Sequence, residues 1–221
     1  EYEPNVALAR GQVRDVLFVE PDAARARLGF VGKTVILTFG LLSPNKGIEF
    51  MLDAMPGIIK SCPNAVYVVL GATHPNLVRT QGEAYRESLT ARAQQLGVEN
   101  HVVFFNQFVE RATLLDFISM CDVYVTPYLN EAQMTSGTLA YSFGLGKAVV
   151  STPYWHAKEL LRDGLGALVP FGDAGAIHVA RDCRPGRAAA HPRVHPARVM
   201  TSYFPAEPAR RPPRPAACEE D

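Results

Sequence analysis

An excess of either charge is missing from this sequence. Its 221 residues carry 22 Lys plus Arg and 22 Asp plus Glu, a formal net charge of zero. A nucleic-acid binder needs a basic excess to meet phosphates, so that class is set aside. No electrostatic case exists for an anionic membrane surface either. Long hydrophobic runs are also missing. The longest strictly apolar run, residues 65–70, has six residues, whereas a membrane helix needs about 20. No basic-then-apolar signal segment opens the chain. Cysteine is sparse: Cys62, Cys121, Cys183 and Cys218 show no C-x-x-C spacing, which excludes a thiolate metal site of that kind. A domain of this size buries a core without disulfide staples, so reduced thiols in a cytosolic setting are expected. The first residue is Glu1 rather than Met, and the chain is expected to start inside a longer protein.

Leucine, isoleucine and lysine are absent from the last 41 residues, 181–221, where Arg, Pro and Ala contribute eight each. This tail carries a net +3 and the 180 residues before it a net −3. Runs such as Arg210-Arg211-Pro212-Pro213-Arg214-Pro215 form neither a helix interior nor a central strand. With few large apolar side chains the tail cannot offset its ordering entropy, and disorder is expected. Its origin has two readings, a native extension or a shifted reading frame; the abrupt change in composition favours the second. Residues 1–32, with Pro4, Pro21 and mixed charge, read as a connector. Residues 33–180 remain as the folded domain.

Within that domain strands and helices alternate. Residues 34–39 form a continuous apolar run rich in β-branched side chains, as expected of a strand buried on both faces. Ile48, Met51, Leu52, Met55 and Ile59 recur at helical spacing over 47–60, and Pro56 should kink that helix rather than abolish it. Further strands are predicted at 65–70, 101–105, 122–126, 148–151 and 167–169. Helices are predicted around Tyr85 to Leu96 (closed by Gly97), around Leu114 to Cys121, and over 136–143, 156–162 and 174–180. Six strands separated by helices imply an α/β fold, a doubly wound parallel sheet of Rossmann-like type. Ligands of such sheets sit at the carboxyl ends of the strands. The loops to inspect are therefore 40–47, 71–76, 106–109, 127–138 and 151–155.

Three of these loops hold the chemistry. In Phe39-Gly40-Leu41-Leu42-Ser43-Pro44-Asn45-Lys46-Gly47 a cation stands at a helix start. The helix dipole opposes Lys46 there, and an anion such as a diphosphate resolves the conflict; the alternative is a solvated surface lysine. The loop lacks both G-x-x-x-x-G-K-[ST] and G-x-G-x-x-G, which lowers ATP-hydrolysis and nicotinamide readings. In the second loop Thr135 and Ser136 can cap a helix, and Gly137 admits a ligand to the backbone. The unbonded N–H groups near Thr138 make an anion nest, against the plain reading of an N-cap without ligand. Asn130, Glu131 and Gln133 supply hydrogen-bonding groups suited to sugar hydroxyls. The third loop, Asn106-Gln107-Phe108-Val109, either receives a nucleobase or is a turn with a core Phe; the core Phe is favoured. His74 reads as a lone loop histidine, His156 as helix-start surface and Glu159 as an exposed helix charge.

Four stretches, in order, resemble the retaining glycosyltransferases of family 4 (the group 1 transferases). They are residues 39–47; Asp122-Val123-Tyr124-Val125-Thr126-Pro127-Tyr128; Thr135-Ser136-Gly137-Thr138-Leu139 leading to Phe143-Gly144-Leu145-Gly146-Lys147-Ala148-Val149-Val150; and Glu159-Leu160-Leu161-Arg162-Asp163-Gly164-Leu165-Gly166-Ala167-Leu168-Val169-Pro170. The resemblance covers about residues 33–177 and implies the C-terminal, nucleotide-sugar-binding half of a two-domain fold. It implies that Lys46 contacts the donor diphosphate. It further implies that Met134, Thr135, Ser136, Gly137 and Thr138 hold the phosphates and, with Gln133, the sugar. Gly40 and Gly71 let the ligand approach, Asn106 and Gln107 lie near the base, and Glu131 acts with Lys46 in catalysis. This sequence departs from the family where Leu41 replaces the usual Arg, a bidentate phosphate contact that Lys does not copy. It departs again where Gln133 and Tyr141 stand in place of the paired glutamates.

The resemblance implies transfer of a glycosyl unit from a nucleoside diphosphate sugar to a hydroxyl, with retention, and no cofactor or metal. The acceptor, a glycan, a lipid-linked sugar or a small molecule, would be held by an N-terminal domain absent from this chain. The fragment itself should bind a nucleotide sugar weakly and transfer it poorly. A cytoplasmic location is implied, with attachment to the inner membrane face left open. Two alternatives stand: a non-catalytic or degenerate nucleotide-sugar-binding domain, which Gln133 and Tyr141 favour, and an epimerase or phosphorylase, for which no carboxylate set or Schiff-base lysine is apparent.

Overall fold

The computed structural model describes residues 19–181. Beyond Arg181, the tail expected to be disordered lies outside the described residues, as do residues 1–18. Six strands, β1 (Thr34–Phe39), β2 (Ala65–Leu70), β3 (Val102–Phe105), β4 (Val123–Thr126), β5 (Ala148–Ser151) and β6 (Ala167–Leu168), form one sheet in the order β3-β2-β1-β4-β5-β6. Every neighbouring pair is parallel. The α/β doubly wound expectation holds, and strand limits agree to within a residue. The chain leaves β1 toward β2 on one side and returns to β4 on the other, so a crevice opens between the loops that follow β1 and β4.

Side chains of β1 alternate between two cores, as the two-residue strand period demands. Ile36 points to one face with Tyr67, Val69, Val123 and Val125. That face is covered by helices α2 (Ile48–Ser61), α4 (Ala84–Gln95) and α8 (Ala174–Arg181). Val35, Leu37 and Phe39 point to the other with Val66, Val68, Leu70 and Tyr124. It is covered by α1 (Pro21–Leu28), α5 (Arg111–Met120), α6 (Gly137–Gly144) and α7 (Trp155–Leu160). Each fully buried Val, Leu or Ile contributes about 1.5–3 kcal/mol, which makes the sheet the rigid frame. α2 continues through Pro56. Lys147 Nζ donates to the carbonyls of Ser119 (2.5 Å) and Cys121 (3.1 Å), placing a cation at the C-terminus of α5.

Two helices depart from the sequence expectation. Residues 21–28, read as part of a connector, form α1, packed on α5 with Ala24 buried. Its anchors are ionic: Arg25 reaches Asp122 at 2.7 Å and Arg27 reaches Asp116 at 2.6 Å. Asp122 also accepts the Val35 N–H at 2.8 Å, tying α1 to the start of β1 and β4. A second helix, α3 (Pro75–Gln81), occupies part of an expected loop. None of its residues is buried, so it has no apolar stripe to read. It is started by Pro75 and by His74 Nδ1, which accepts the Asn76 N–H at 3.2 Å.

At the carboxyl edge, β1 and β2 end in glycines that touch. Gly71 has φ +147°, and a Cβ there would lie 2.0 Å from the Gly40 carbonyl oxygen. Gly71→Ala is therefore expected to cost at least about 1–3 kcal/mol from backbone conformation alone, with the steric clash in addition. Denaturant unfolding of the two proteins checks this; equal midpoints would mean that the two loop bases separate freely.

Candidate functional site

The loops after β1, β2 and β4 surround a cleft of about 390 Å³ at the carboxyl edge of the sheet. Gly40, Leu41, Ser43 and Lys46 line one side; His74, Gln133 and Thr138 close the rest. Four of the sequence-predicted site residues, Gly40, Lys46, Gln133 and Thr138, thus share one cavity. The loops after β1 and β4 are locked together. Leu129 N–H donates to the Asn45 carbonyl at 3.0 Å, and a Cβ on Gly47 (φ +62°) would strike the Pro127 carbonyl at 2.1 Å.

Lys46 ends a short 3-10 turn (Pro44–Lys46), and its Nζ lies 3.8 Å from the centroid of the Tyr128 ring. Tyr128 is buried and stacks on Tyr154, with centroids 5.3 Å apart. A cation over such a face gains about 0.5–2 kcal/mol, so Lys46 is seated rather than free to sweep solvent. Burial raises the Tyr128 phenol pKa, but the Lys46 charge and neighbouring hydrogen bonds outweigh it and leave the group below its usual value. For Tyr124 burial dominates and the pKa lies well above the ordinary value; for Tyr154 it is pushed up to about 12.

Ser136 is the N-cap of α6: its Oγ accepts the Leu139 N–H at 3.3 Å. Its own N–H donates to His156 Nδ1 at 2.9 Å. The expected nest of backbone donors is therefore smaller than the sequence implied, because the Ser136 N–H is engaged and the donors left at the helix start are those of Gly137 and Thr138. The Thr138 hydroxyl is the hub of a polar cluster. Tyr124 donates to it at 2.7 Å, Tyr128 lies at 2.9 Å and Ser136 Oγ at 3.2 Å.

A second, mostly apolar slot of about 70 Å³ adjoins the cleft and shares Gly40 and Leu41 with it. Gly71, Gln107, Phe108 and Leu114 are among its walls. The core reading of Phe108 is corrected: the ring is 89% exposed at the slot, because the chain turns outward after β3. Asn106 is exposed and is not among the residues around either cavity. Met134, Thr135 and Gly137 are exposed at the rim. Glu131 is also exposed, with Oε1 held by Lys158 Nζ at 2.7 Å outside the cleft. Leu41, where the resemblance called for Arg, does face the cleft. Among the described residues no group of three or more His, Cys, Asp or Glu side chains is arranged to hold a metal, and no helix is long and apolar enough to cross a membrane.

Sequence reasoning gave no role to Tyr124, in a predicted strand, or to Tyr128, in the loop after it, and misjudged His156, expected on the surface but buried. A contact between residues 20 positions apart leaves no local signal. Burial lowers the His156 pKa from 6.5, with Glu159 opposing. A depressed native pKa means that the unfolded chain binds the proton more readily. Stability is then fully present above pH 6.5 and lost as pH falls through the native value. His156→Gln is expected to flatten the stability profile below pH 6.5 by up to about 1.4 kcal/mol per pH unit, as measured by denaturant unfolding across pH. Superimposable profiles would remove His156 from the acid response.

The family model described as glycosyl transferases group 1 matches residues 33–181. A phosphatidyl-myo-inositol mannosyltransferase of Mycobacterium tuberculosis is 30% identical over 157 residues, 69% of this chain and 37% of that protein. A GDP-mannose:glycolipid 4-beta-D-mannosyltransferase of Xanthomonas campestris is 28% identical over 131 residues, 59% of this chain and 33% of that protein. The structure of Anabaena Alr3699/HepE in complex with UDP and glucose aligns at TM-score 0.68 and 21% identity, over 86% of this chain and 50% of that one. The C-terminal domain of the group 1 family protein LpcC of Francisella tularensis aligns at TM-score 0.69 and 16% identity, over 87% of this chain and 98% of that domain. These structural likenesses establish the fold. The chain spans between about a third and a half of the length of the curated relatives it matches.

Proposed function

Since the chain belongs to the group 1 glycosyl transferases, we propose that it is the donor-binding half of an enzyme that moves a sugar from a nucleoside diphosphate to an acceptor hydroxyl, with retention at the anomeric carbon. The observation that carries this reading is that Lys46, seated on Tyr128, lines the same cleft as Thr138 in the first turn of α6. A leaving diphosphate develops negative charge, and catalysis needs positive charge waiting there. Lys46 supplies a full charge; the N–H groups of Gly137 and Thr138 supply the helix-end dipole. Gln133 lines the cleft and offers hydrogen-bonding groups suited to sugar hydroxyls, and the mostly apolar slot beside Gln107 and Phe108 suits a base. No cofactor enters this scheme; the nucleoside diphosphate sugar is the donor substrate.

Glu131 reaches such a sugar only by leaving Lys158. Both side chains are about half exposed, and an exposed pair of this kind holds with about 0–1 kcal/mol, so the exchange is inexpensive. A glycan, a lipid-linked sugar or a small glycoside would be held by a domain beyond this chain, in the cytoplasm or at the inner membrane face. A second reading, a donor-binding domain that has lost catalysis, is favoured by Gln133 and Tyr141 at the positions of the family's paired glutamates. Product analysis of the complete protein separates the two, and the anomeric configuration of the product tests retention.

Calorimetric titration of the chain with UDP and GDP, the diphosphates of the two bases named for similar proteins, tests the donor site. Lys46→Ala is expected to weaken binding roughly 10- to 100-fold, the equivalent of a charge-assisted hydrogen bond of ~1.5–3 kcal/mol. An unchanged affinity would take Lys46 out of the site.

A further inference from the structure

We propose that the buried phenols of Tyr124 and Tyr128 are positioning residues that make the Thr138 hydroxyl a fixed proton donor to a phosphate oxygen of the nucleoside diphosphate. The proposal rests on the donor-site reading above and adds to it a polarity set from beneath the site. A threonine hydroxyl has two acceptor lone pairs and one proton. Tyr124 donates into the first lone pair at 2.7 Å, within the usual range for O–H···O bonds. Tyr128 lies at 2.9 Å from the same oxygen. The Lys46 cation over its ring draws electron density from the phenol and favours its role as donor. When Tyr128 donates as well, both lone pairs are occupied and Thr138 is left with its own proton to give.

Two destinations exist for that proton. One is Ser136 Oγ, at 3.2 Å, longer than a good hydroxyl–hydroxyl bond and already accepting from Leu139 N–H. The other is an acceptor in the cleft that Thr138 lines. An ionised phosphate oxygen is the stronger acceptor and wins that competition. The rotamer is held from the opposite side as well. Thr138 Cγ2 would be only 3.2 Å from a Cβ on Gly40, so the methyl packs against the β1 loop and the hydroxyl is turned toward the tyrosines. Tyr124 and Tyr128 are almost fully buried; neither lines the cleft, and they act through Thr138.

The test is a double-mutant cycle on the 221-residue chain, titrated with UDP and GDP, with uridine and guanosine as controls. Tyr124→Phe and Tyr128→Phe each remove one phenol hydroxyl while keeping the ring, and the latter keeps the aromatic face under Lys46 but not the hydroxyl beside it. Each is expected to weaken diphosphate binding about 3- to 10-fold, to leave nucleoside binding unchanged, and to have no further effect in a Thr138→Val background. Thr138→Ser should stay near the wild-type affinity. Thermal unfolding of each variant confirms that it is folded. Equal weakening for nucleoside and diphosphate, or a loss that persists in Thr138→Val, would assign the tyrosines a structural role only and overturn the proposal. If the wild type binds neither UDP nor GDP, the donor-site reading falls and this one with it. If Lys46→Ala loses the diphosphate while both Tyr→Phe variants keep it, only the present proposal falls.

Discussion

The common direction of the six strands is the constraint on which the site depends. In a parallel sheet every strand delivers its carboxyl end, and its outgoing loop, to one edge. The loop after β1 carries Lys46, the loop after β4 carries Gln133 and leads to Thr138, and the loop after β2 carries His74. Because β1 pairs with β2 on one side and β4 on the other, these loops are immediate neighbours despite separations of up to about 90 residues in sequence. The contact of Gly71 with the Gly40 carbonyl then sets how closely the bases of two of them approach.

On that edge, charge is held in place from below. Lys46 rests on a ring that is itself buried and stacked on Tyr154, so the cation has few alternative positions. The start of α6 is held in the same manner: His156 takes the Ser136 N–H, Ser136 caps Leu139, and two tyrosines converge on Thr138. Groups held before the ligand arrives need not be ordered at the moment of binding, which is the source of preorganised electrostatic stabilisation. At the rim Met134 is 70% exposed, and Glu131 is held only by a half-exposed ion pair with Lys158.

Most of the fold was legible in the sequence because buried parallel strands leave unbroken apolar runs and their covering helices leave a helical stripe. Residues 34–39 and 65–70 were read to the residue. The two helices that escaped have no such stripe: α1 is charged and attached through Arg25 and Arg27, and α3 buries none of its residues. The site was legible in part. Lys46 and Thr138 stood out because a cation or a run of hydroxyls at a helix start is chemically unusual. Phe108 and His156 were misjudged in opposite directions, the ring exposed and the imidazole buried, since a loop's neighbours are not encoded in its own few residues.

The amino-acid sequence by itself determined the alternation of strand and helix, the edge where the outgoing loops gather, and the presence there of a lysine and a hydroxyl-rich helix start. Local spacing and side-chain chemistry suffice for each of these. Only the tertiary structure decided that Lys46 lies on Tyr128, that the Ser136 amide is already taken by His156, and that Tyr124 and Tyr128 meet on one hydroxyl. Hydrogen bonds and ring contacts fall off within a few ångströms, and which groups come that close is settled by packing across the sheet rather than by position along the chain.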